Sequence, residues 1–296
     1  MTEFLQQLIN GVSLGAIFAL IALGYTMVYG VLRFINFAHS DVFMVGAYAG
    51  YFIGQRVPGH SLWGGALALG GAMAACAALG IVIERFAYRP LRGAPTLNVL
   101  ITAIGMSLLL QNLAQYFWGA TPRPYPELFP VANYHFGGLV VSSNQLAVVA
   151  VTLALLFALR FIVLRTRLGT AMRALSLNPQ AAALVGINTD VVISFTFGLG
   201  SALAAAGGVL YALNYPSIDP IMGTLPGLKA FVAAVLGGIG NIPGAALGGL
   251  LLGIVETFVN GSEWSTYKDA IAFAVLILIL LFRPAGLLGR FTVEKV

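Results

Sequence analysis

Apolar residues run through this chain in blocks long enough to cross a lipid bilayer, and polar residues gather between them. About 20 consecutive apolar residues suffice for one helical crossing. Blocks at about 6–31, 62–86, 97–118, 144–164, 191–213 and 268–282 meet that length. Two further stretches are apolar but irregular. Residues 40–54 are short and carry Gly46, Gly50 and Gly54. Residues 228–259 are long, but the run from Gly237 to Gly244, with Gly238, Gly240, Asn241 and Pro243 inside it, falls in the middle. Glycine is a poor helix former and proline lacks the amide hydrogen that a helix interior needs, so this run predicts two short helices with a break between them. The pattern as a whole predicts an all-α, polytopic membrane bundle of seven to nine segments, short broken helices included. Hydrophobic residues make up 59% of the chain and charged residues 8%. A soluble domain carries about 25% charged residues, so a single membrane domain over 1–296 is expected, with no soluble domain beside it.

The few charges set a direction. Arg33 follows the first block; Arg85, Arg89 and Arg92 follow the third; Arg165, Arg167 and Arg173 follow the fifth; Arg283, Arg290 and Lys295 end the chain. Basic residues beside spans stay in the cytoplasm. Placing all four groups there requires an outside N-terminus, a cytoplasmic C-terminus and an odd number of crossings. Met1-Thr2-Glu3-Phe4 lacks the basic start of a signal peptide, so the first block is expected to remain as a span. The connection at 119–142 then lies outside, and its four prolines between Pro122 and Pro130 exclude a regular helix there. It either meets a soluble partner or simply joins two spans. The net charge of +5 is spread over span ends and membrane lipid, with no basic patch interleaved with aromatics, so nucleic acid is not an expected partner. The single cysteine, Cys76, sits in an apolar block and reads as a buried, inert thiol.

Most enzymatic readings fail on context. No Gly-Lys-Ser/Thr phosphate loop exists, because the only lysines are Lys229, Lys268 and Lys295, preceded by Leu228, Tyr267 and Glu294. Gly11-Val12-Ser13-Leu14-Gly15 matches a nucleophile elbow, but that motif needs a strand-turn-helix setting. At the start of a membrane helix its glycines are better explained by close helix packing. The later glycines, from Gly237 to Gly253, read the same way. His39, His60 and His135 are scattered, which argues against a metal site. Two polar clusters remain as candidates for a translocation path or gate. Asn36, His39 and Asp41 lie at a span junction, where they either line the path or cap the short helix that follows through Ser40 or Asp41. Asn98, Thr102, Gly105 and Asn112 recur on one helical face, with Gln111 and Gln115 beside it. Such a face is expected to point inward, towards a pore or neighbouring helices. Glu84 is expected to pair with Arg85 or Arg89, Arg160 to snorkel, and Glu256 to snorkel outward or serve in a proton relay. No sequence repeat is visible, although the two glycine-broken regions, one in each half, are either matched elements of an internal repeat or unrelated packing solutions.

The cytoplasmic connection at about 165–190 is the most informative polar stretch. Asn178 reads as a helix N-cap, Pro179 as the first helical residue and Gly186 as a stop. A helix of about two turns is not stable alone, so it needs a partner. Gln180, Ala181, Ala182 and, three residues on, Gly186 resemble the EAA-x3-G loop of ABC-importer permeases, on which a separate ATPase pushes. Longer segments extend the likeness: Asn10–Leu20, Tyr29–His39, Glu84–Pro95, Ile104–Asn112, Gly227–Gly238 and Gly244–Glu256 resemble the branched-chain amino acid permeases of ABC importers, the LivH type. Ser40 departs from the usual glycine of that family and Gln180 from the frequent glutamate. The first departure touches local packing; the second removes one ionic contact to an ATPase. The resemblance implies a permease subunit in a bacterial cytoplasmic (inner) membrane, with no enzyme activity and no cofactor of its own. Its implied partners are a second related permease, two ATP-binding subunits that use ATP and Mg, and a periplasmic substrate-binding protein. The coupling loop would carry Arg173, Pro179, Gln180, Ala181, Ala182 and Gly186. The resemblance points to branched-chain amino acids as cargo, with urea, a short amide or another amino acid as alternatives. The residues alone also admit a stand-alone channel or secondary carrier.

Overall fold

The computed structural model describes residues 1–289, so Arg290 and Lys295 lie outside the described residues. The helices are α1 (Thr2–Leu32), α2 (His39–Gly54), α3 (Leu62–Ile83), α4 (Thr96–Trp118), α5 (Ser143–Arg165), α6 (Arg167–Leu177), α7 (Pro179–Leu184), α8 (Thr189–Asn214), α9 (Thr224–Gly237), α10 (Ile242–Asn260) and α11 (Lys268–Phe282). A π-turn over Glu84–Tyr88 and a 3-10 turn over Arg89–Leu91 extend α3. Among the described residues seven helices are long and apolar enough to cross a membrane: α1, α3, α4, α5, α8, α10 and α11. At 1.5 Å per residue, the 16 residues of α2 and 14 of α9 fall short of a hydrocarbon core of about 30 Å.

Helices α1 and α8 form the centre and are buried nearly all round. They run antiparallel: Asn214 Nδ2 donates to Ser13 Oγ at 3.2 Å near one end, and Gly200 packs on Gly24 and Val28 nearer the other. Each carries one long antiparallel neighbour. On α1 this is α10, where a Cβ at Gly11 would lie 2.8 Å from Ile254 Cα and one at Gly15 would lie 2.7 Å from Leu250 Cα. On α8 it is α3, where the Ser194 hydroxyl donates to Glu84 at 2.5 Å and Gly80 abuts Ser201. Each also carries one short helix, α9 on α1 and α2 on α8. The set α1–α4 therefore matches α8–α11 with the direction reversed, with α5–α7 between them. The two glycine-broken regions are matched elements of inverted halves, an arrangement common in transporters. The starts of the two short helices meet, with Gly223 and Gly227 against Ser40.

In lipid, a broken helix must still satisfy its backbone. The break after α9 places Gly238 at φ 102° and Gly240 at φ 92°, which favour glycine. The freed carbonyls of Leu236 and Gly237 accept from Leu287 N at 2.8 Å and Leu288 N at 3.0 Å. Asn241 then restarts α10 by accepting from Gly244 N at 3.1 Å. Ser13 belongs to the α1–α8 contact, and Cys76 is fully buried, so both sit in packing. The 119–142 connection contains no α-helix. Strand β1 (Arg123–Pro124) pairs antiparallel with β4 (Ser217–Ile218), and β2 (Asn133–Phe136) forms a hairpin with β3 (Leu139–Ser142).

Candidate functional site: a basic-end loop and buried polar ties

One end of the bundle gathers Arg33, Arg85, Arg89, Arg92, Arg165, Arg167 and Arg173; the 119–142 connection lies at the other. At the basic end, Thr166 caps α6 by accepting from Gly169 N at 3.0 Å, and Asn178 caps α7 by accepting from Ala181 N at 3.0 Å. Pro179 opens α7, and Gly186 follows it at φ 85° in open space. Arg173 folds back, its guanidinium donating to the Val163 carbonyl at the end of α5. Gln180 and Ala181 are exposed, whereas Ala182 is buried. Ala182 therefore anchors α7 to its own chain, and its side chain is not on the free face. That face is instead apolar: Leu177, Leu184 and Val185 are 81%, 88% and 77% exposed. Arg33, which ends α1 in a left-handed conformation, donates to the Ser176 carbonyl at 3.4 Å and so joins this loop to the central helix.

Asn36, His39 and Asp41 come together where α2 begins. Asn36 Oδ1 accepts from the Tyr88 hydroxyl at 2.5 Å. His39 is buried, its ring 4.6 Å from that of Tyr25, and its Nε2 has no hydrogen-bond partner. Asp41 accepts from Gln111 Nε2 of α4 at 2.9 Å, and its second oxygen is unpartnered. Neither Ser40 nor Asp41 caps α2: the N-cap residue is Ala38, and Ser40 Oγ donates instead to the Phe37 carbonyl at 2.9 Å.

The face of α4 bearing Asn98, Thr102, Gly105 and Asn112 does not point into the chain. Asn98, Gly105 and Asn112 are exposed and Thr102 is half-buried, while Val99, Ala103, Leu110 and Ala114 face inward. The reason is packing. Lipid offers little drive to bury apolar groups, so small residues that permit close approach decide which face turns in. Gln111 is the α4 residue that hydrogen-bonds buried Asp41 of α2.

Two charged clusters tie the helices. Glu84 is fully buried and pairs with Arg92, not with Arg85 or Arg89. Arg89 and Arg92 both hold Asp190 at the start of α8. Glu256 does not snorkel: it is buried, and Lys229 Nζ donates to it at 2.6 Å. Lys229 also lies 2.6 Å from Asp269. Lys229 and Asp269 escaped the sequence reading, although a lysine inside the apolar run 227–238 demands a counter-charge in lipid. Among the described residues no group of three or more metal-ligating side chains exists.

Inverted halves, broken helices and polar ties inside a lipid-soluble bundle define a polytopic solute permease. Comparison with known proteins places it more closely. The chain belongs to the family described as branched-chain amino acid transport system / permease component, which matches residues 7–280. It is 47% identical to the high-affinity branched-chain amino acid transport system permease protein BraD of Pseudomonas aeruginosa, over 99% of this chain and 98% of that one. It is 44% identical to LivH of Escherichia coli, over the same shares. A more distant relative, the ribose import permease protein RbsC of Escherichia coli, is 26% identical over 93% of this chain and 84% of its own. The chain is thus a multi-span permease component of a transport system.

Proposed function

We propose that this chain is the permease subunit of an ATP-driven importer that moves branched-chain amino acids into a bacterial cell. ATP and Mg are used by two separate ATP-binding subunits, and a periplasmic protein delivers the cargo. The basic end is cytoplasmic, the N-terminus outside and the C-terminus inside, in keeping with the arginine distribution. The observation that carries the reading is the loop at the basic end. Its short α7 is anchored by Ala182, and Leu177, Leu184 and Val185 present an exposed apolar surface. An ATPase seated there would displace α6 and α7. Arg33 would pass the movement to α1, and Asp190, held by Arg89 and Arg92, would pass it to α8 and α3. Exposed Asn98 and Asn112, with half-buried Thr102 between them, support a second related permease as neighbour against α4. Asn36, His39 and Asp41 then act as a gate where α2 begins.

Gentle extraction from the native membrane, followed by mass spectrometry of what accompanies the chain, tests this assembly. Two ATPases and a second permease are expected. A chain that emerges alone would point to a stand-alone channel or carrier. The relative named for ribose favours keeping a second reading of the cargo, another small polar solute. Uptake of leucine against urea and short amides by the assembled transporter decides between them.

A further inference from the structure

A cavity of about 570 Å³ opens at the end of the bundle opposite the arginines, between α1, α5, α8, α10 and the start of α11. Its wall is unlike a lipid-facing surface. Gln7, Asn10 and Ser13 line it from one face of α1, and Asn144, Asn214 and Asn260 close other sides. The cavity shares Leu14, Tyr215, Glu256 and Lys268 with a smaller pocket of about 130 Å³. That pocket is apolar and aromatic on one side, through Phe18, Tyr211, Leu225 and Pro226, and carries Lys229 and Asp269 on the other. Together they make one space that begins with amides, passes charges of both signs and ends against hydrocarbon.

These charges are not all spent on each other. Lys229 engages Glu256 through Oε1, and Glu256 Oε2 is buried with no hydrogen-bond partner. A buried carboxylate oxygen without a donor is costly, and an ammonium group relieves that cost. Lys268 is in no ion pair among the described residues. The Tyr215 hydroxyl borders both spaces as a neutral donor.

We propose that the two spaces form a binding site for a free α-amino acid with a short aliphatic side chain. Glu256 Oε2 takes the ammonium, Lys268 and the Tyr215 hydroxyl take the carboxylate, and Phe18, Tyr211 and Leu225 receive the side chain. A zwitterion entering a poorly hydrated site needs a partner for each charge, and this wall supplies both. A branched four-carbon group occupies about 120 Å³ if each carbon takes a water-sized share of roughly 30 Å³. That is close to the 130 Å³ of the smaller pocket. The site rests on the proposed function and adds to it a place inside this one subunit where the cargo pauses.

The test is ATP-driven uptake of leucine and of alanine by the assembled transporter, reconstituted with its binding protein. Wild type is compared with Leu225→Trp and Lys268→Gln at matched membrane levels. Leu225 is 50% exposed and Lys268 only partly buried, so both positions accept substitution without opening the core. Leu225→Trp fills the apolar pocket and is expected to lower the leucine-to-alanine ratio about tenfold. Lys268→Gln removes the carboxylate partner and is expected to slow both amino acids alike, leaving the ratio where it was. An unchanged ratio in Leu225→Trp, equal loss of both amino acids in that variant, or wild-type uptake in Lys268→Gln would overturn the site. A wild-type transporter that carries neither amino acid would instead sink the functional proposal, independently of the site.

Discussion

Gly15→Ala is the smallest change that should measurably destabilise this protein. A Cβ at Gly15 would stand 2.7 Å from Leu250 Cα and 2.7 Å from the Leu250 carbonyl oxygen, with Gly249 O at 3.1 Å. Carbon atoms in contact sit about 3.5–4.0 Å apart, so α1 and α10 would have to separate by about 1 Å. Every obstructing atom is backbone, so no side chain can swing aside. The two helices also meet at Gly11, Gly249 and Gly253, and a separation at Gly15 opens the whole seam. A gap of 0.5–1 Å forfeits about a quarter to a half of each contact's dispersion energy. Overpacking of this kind costs about 1–3 kcal/mol, a fall of several degrees in melting temperature. Gly70→Ala is the control. It sits within α3, and a Cβ there meets nothing within 4 Å. Alanine is the better helix former, so Gly70→Ala should be neutral or stabilising by up to about 1 kcal/mol. The assay is thermal unfolding of the two purified variants in the same detergent. Equal melting temperatures, or a more stable Gly15→Ala protein, would refute the seam as the source of α1–α10 cohesion.

Three further outcomes follow from other parts of the structure. Glu84→Ala strips the acceptor from the Ser194 hydroxyl and one of two carboxylate partners from Arg92, which keeps Asp190, and should cost about 1–3 kcal/mol, while Glu84→Gln keeps an acceptor for Ser194 and should cost less; thermal unfolding of both variants ranks them, and a wild-type melting temperature for Glu84→Ala would count against the tie. Ala182→Leu should lower the melting temperature of the isolated chain, because Ala182 packs inward, whereas Leu184→Asp should leave it unchanged yet reduce recovery of the proposed ATPase in pull-downs; the reverse pattern would invert the faces assigned to α7. Replacing Asn98 and Asn112 together by Leu should leave the isolated chain equally stable and lower solute uptake by the assembled transporter; wild-type uptake would remove these asparagines from the proposed subunit contact.

What could be read without coordinates divides along a physical line. Lipid demands an apolar run of set length, so the long helices were legible to within a few residues, from Leu62 to Phe282. The break at Gly238–Asn241 was legible too, because glycine and proline act locally. Pairing across space was not. Lys229 and Glu256 are 27 residues apart and Glu84 and Ser194 are 110 apart, and nothing local joins them. The need for a partner was nonetheless readable, since a lone lysine in an apolar run cannot stand unpaired in lipid. The polar stripe on α4 shows the opposite case. Its periodicity was plain, but its direction depends on what packs on each side, and Ala103 and Ala114 took the inward face. The helix cap at Asn178 was local and readable; Ala182 was expected on the loop's docking face with Ala181 and Gly186, and its burial corrects that.

The inverted halves give the two polar ties a common meaning. Short helix α2 carries Asp41, held by Gln111 of α4; short helix α9 carries Lys229, held by Asp269 of α11. By the matching of α1–α4 with α8–α11, these are counterpart contacts of opposite charge. Each broken helix is too short to be held by hydrophobic length alone, and each is fastened instead to the last helix of its own half by a buried polar group. Breaking such a group inside a low-dielectric interior leaves a charge without a partner, which is far costlier than losing a surface contact. Helix α2 is thereby tied to α4, and α9 to both α11 and α10, since Lys229 also donates to Glu256. Both outermost helices turn mainly apolar residues outward, Ile277, Leu278, Leu280 and Leu281 on α11 and Leu97, Ile101, Ile104, Leu108 and Phe117 on α4, and α4 adds Asn98 and Asn112 among them.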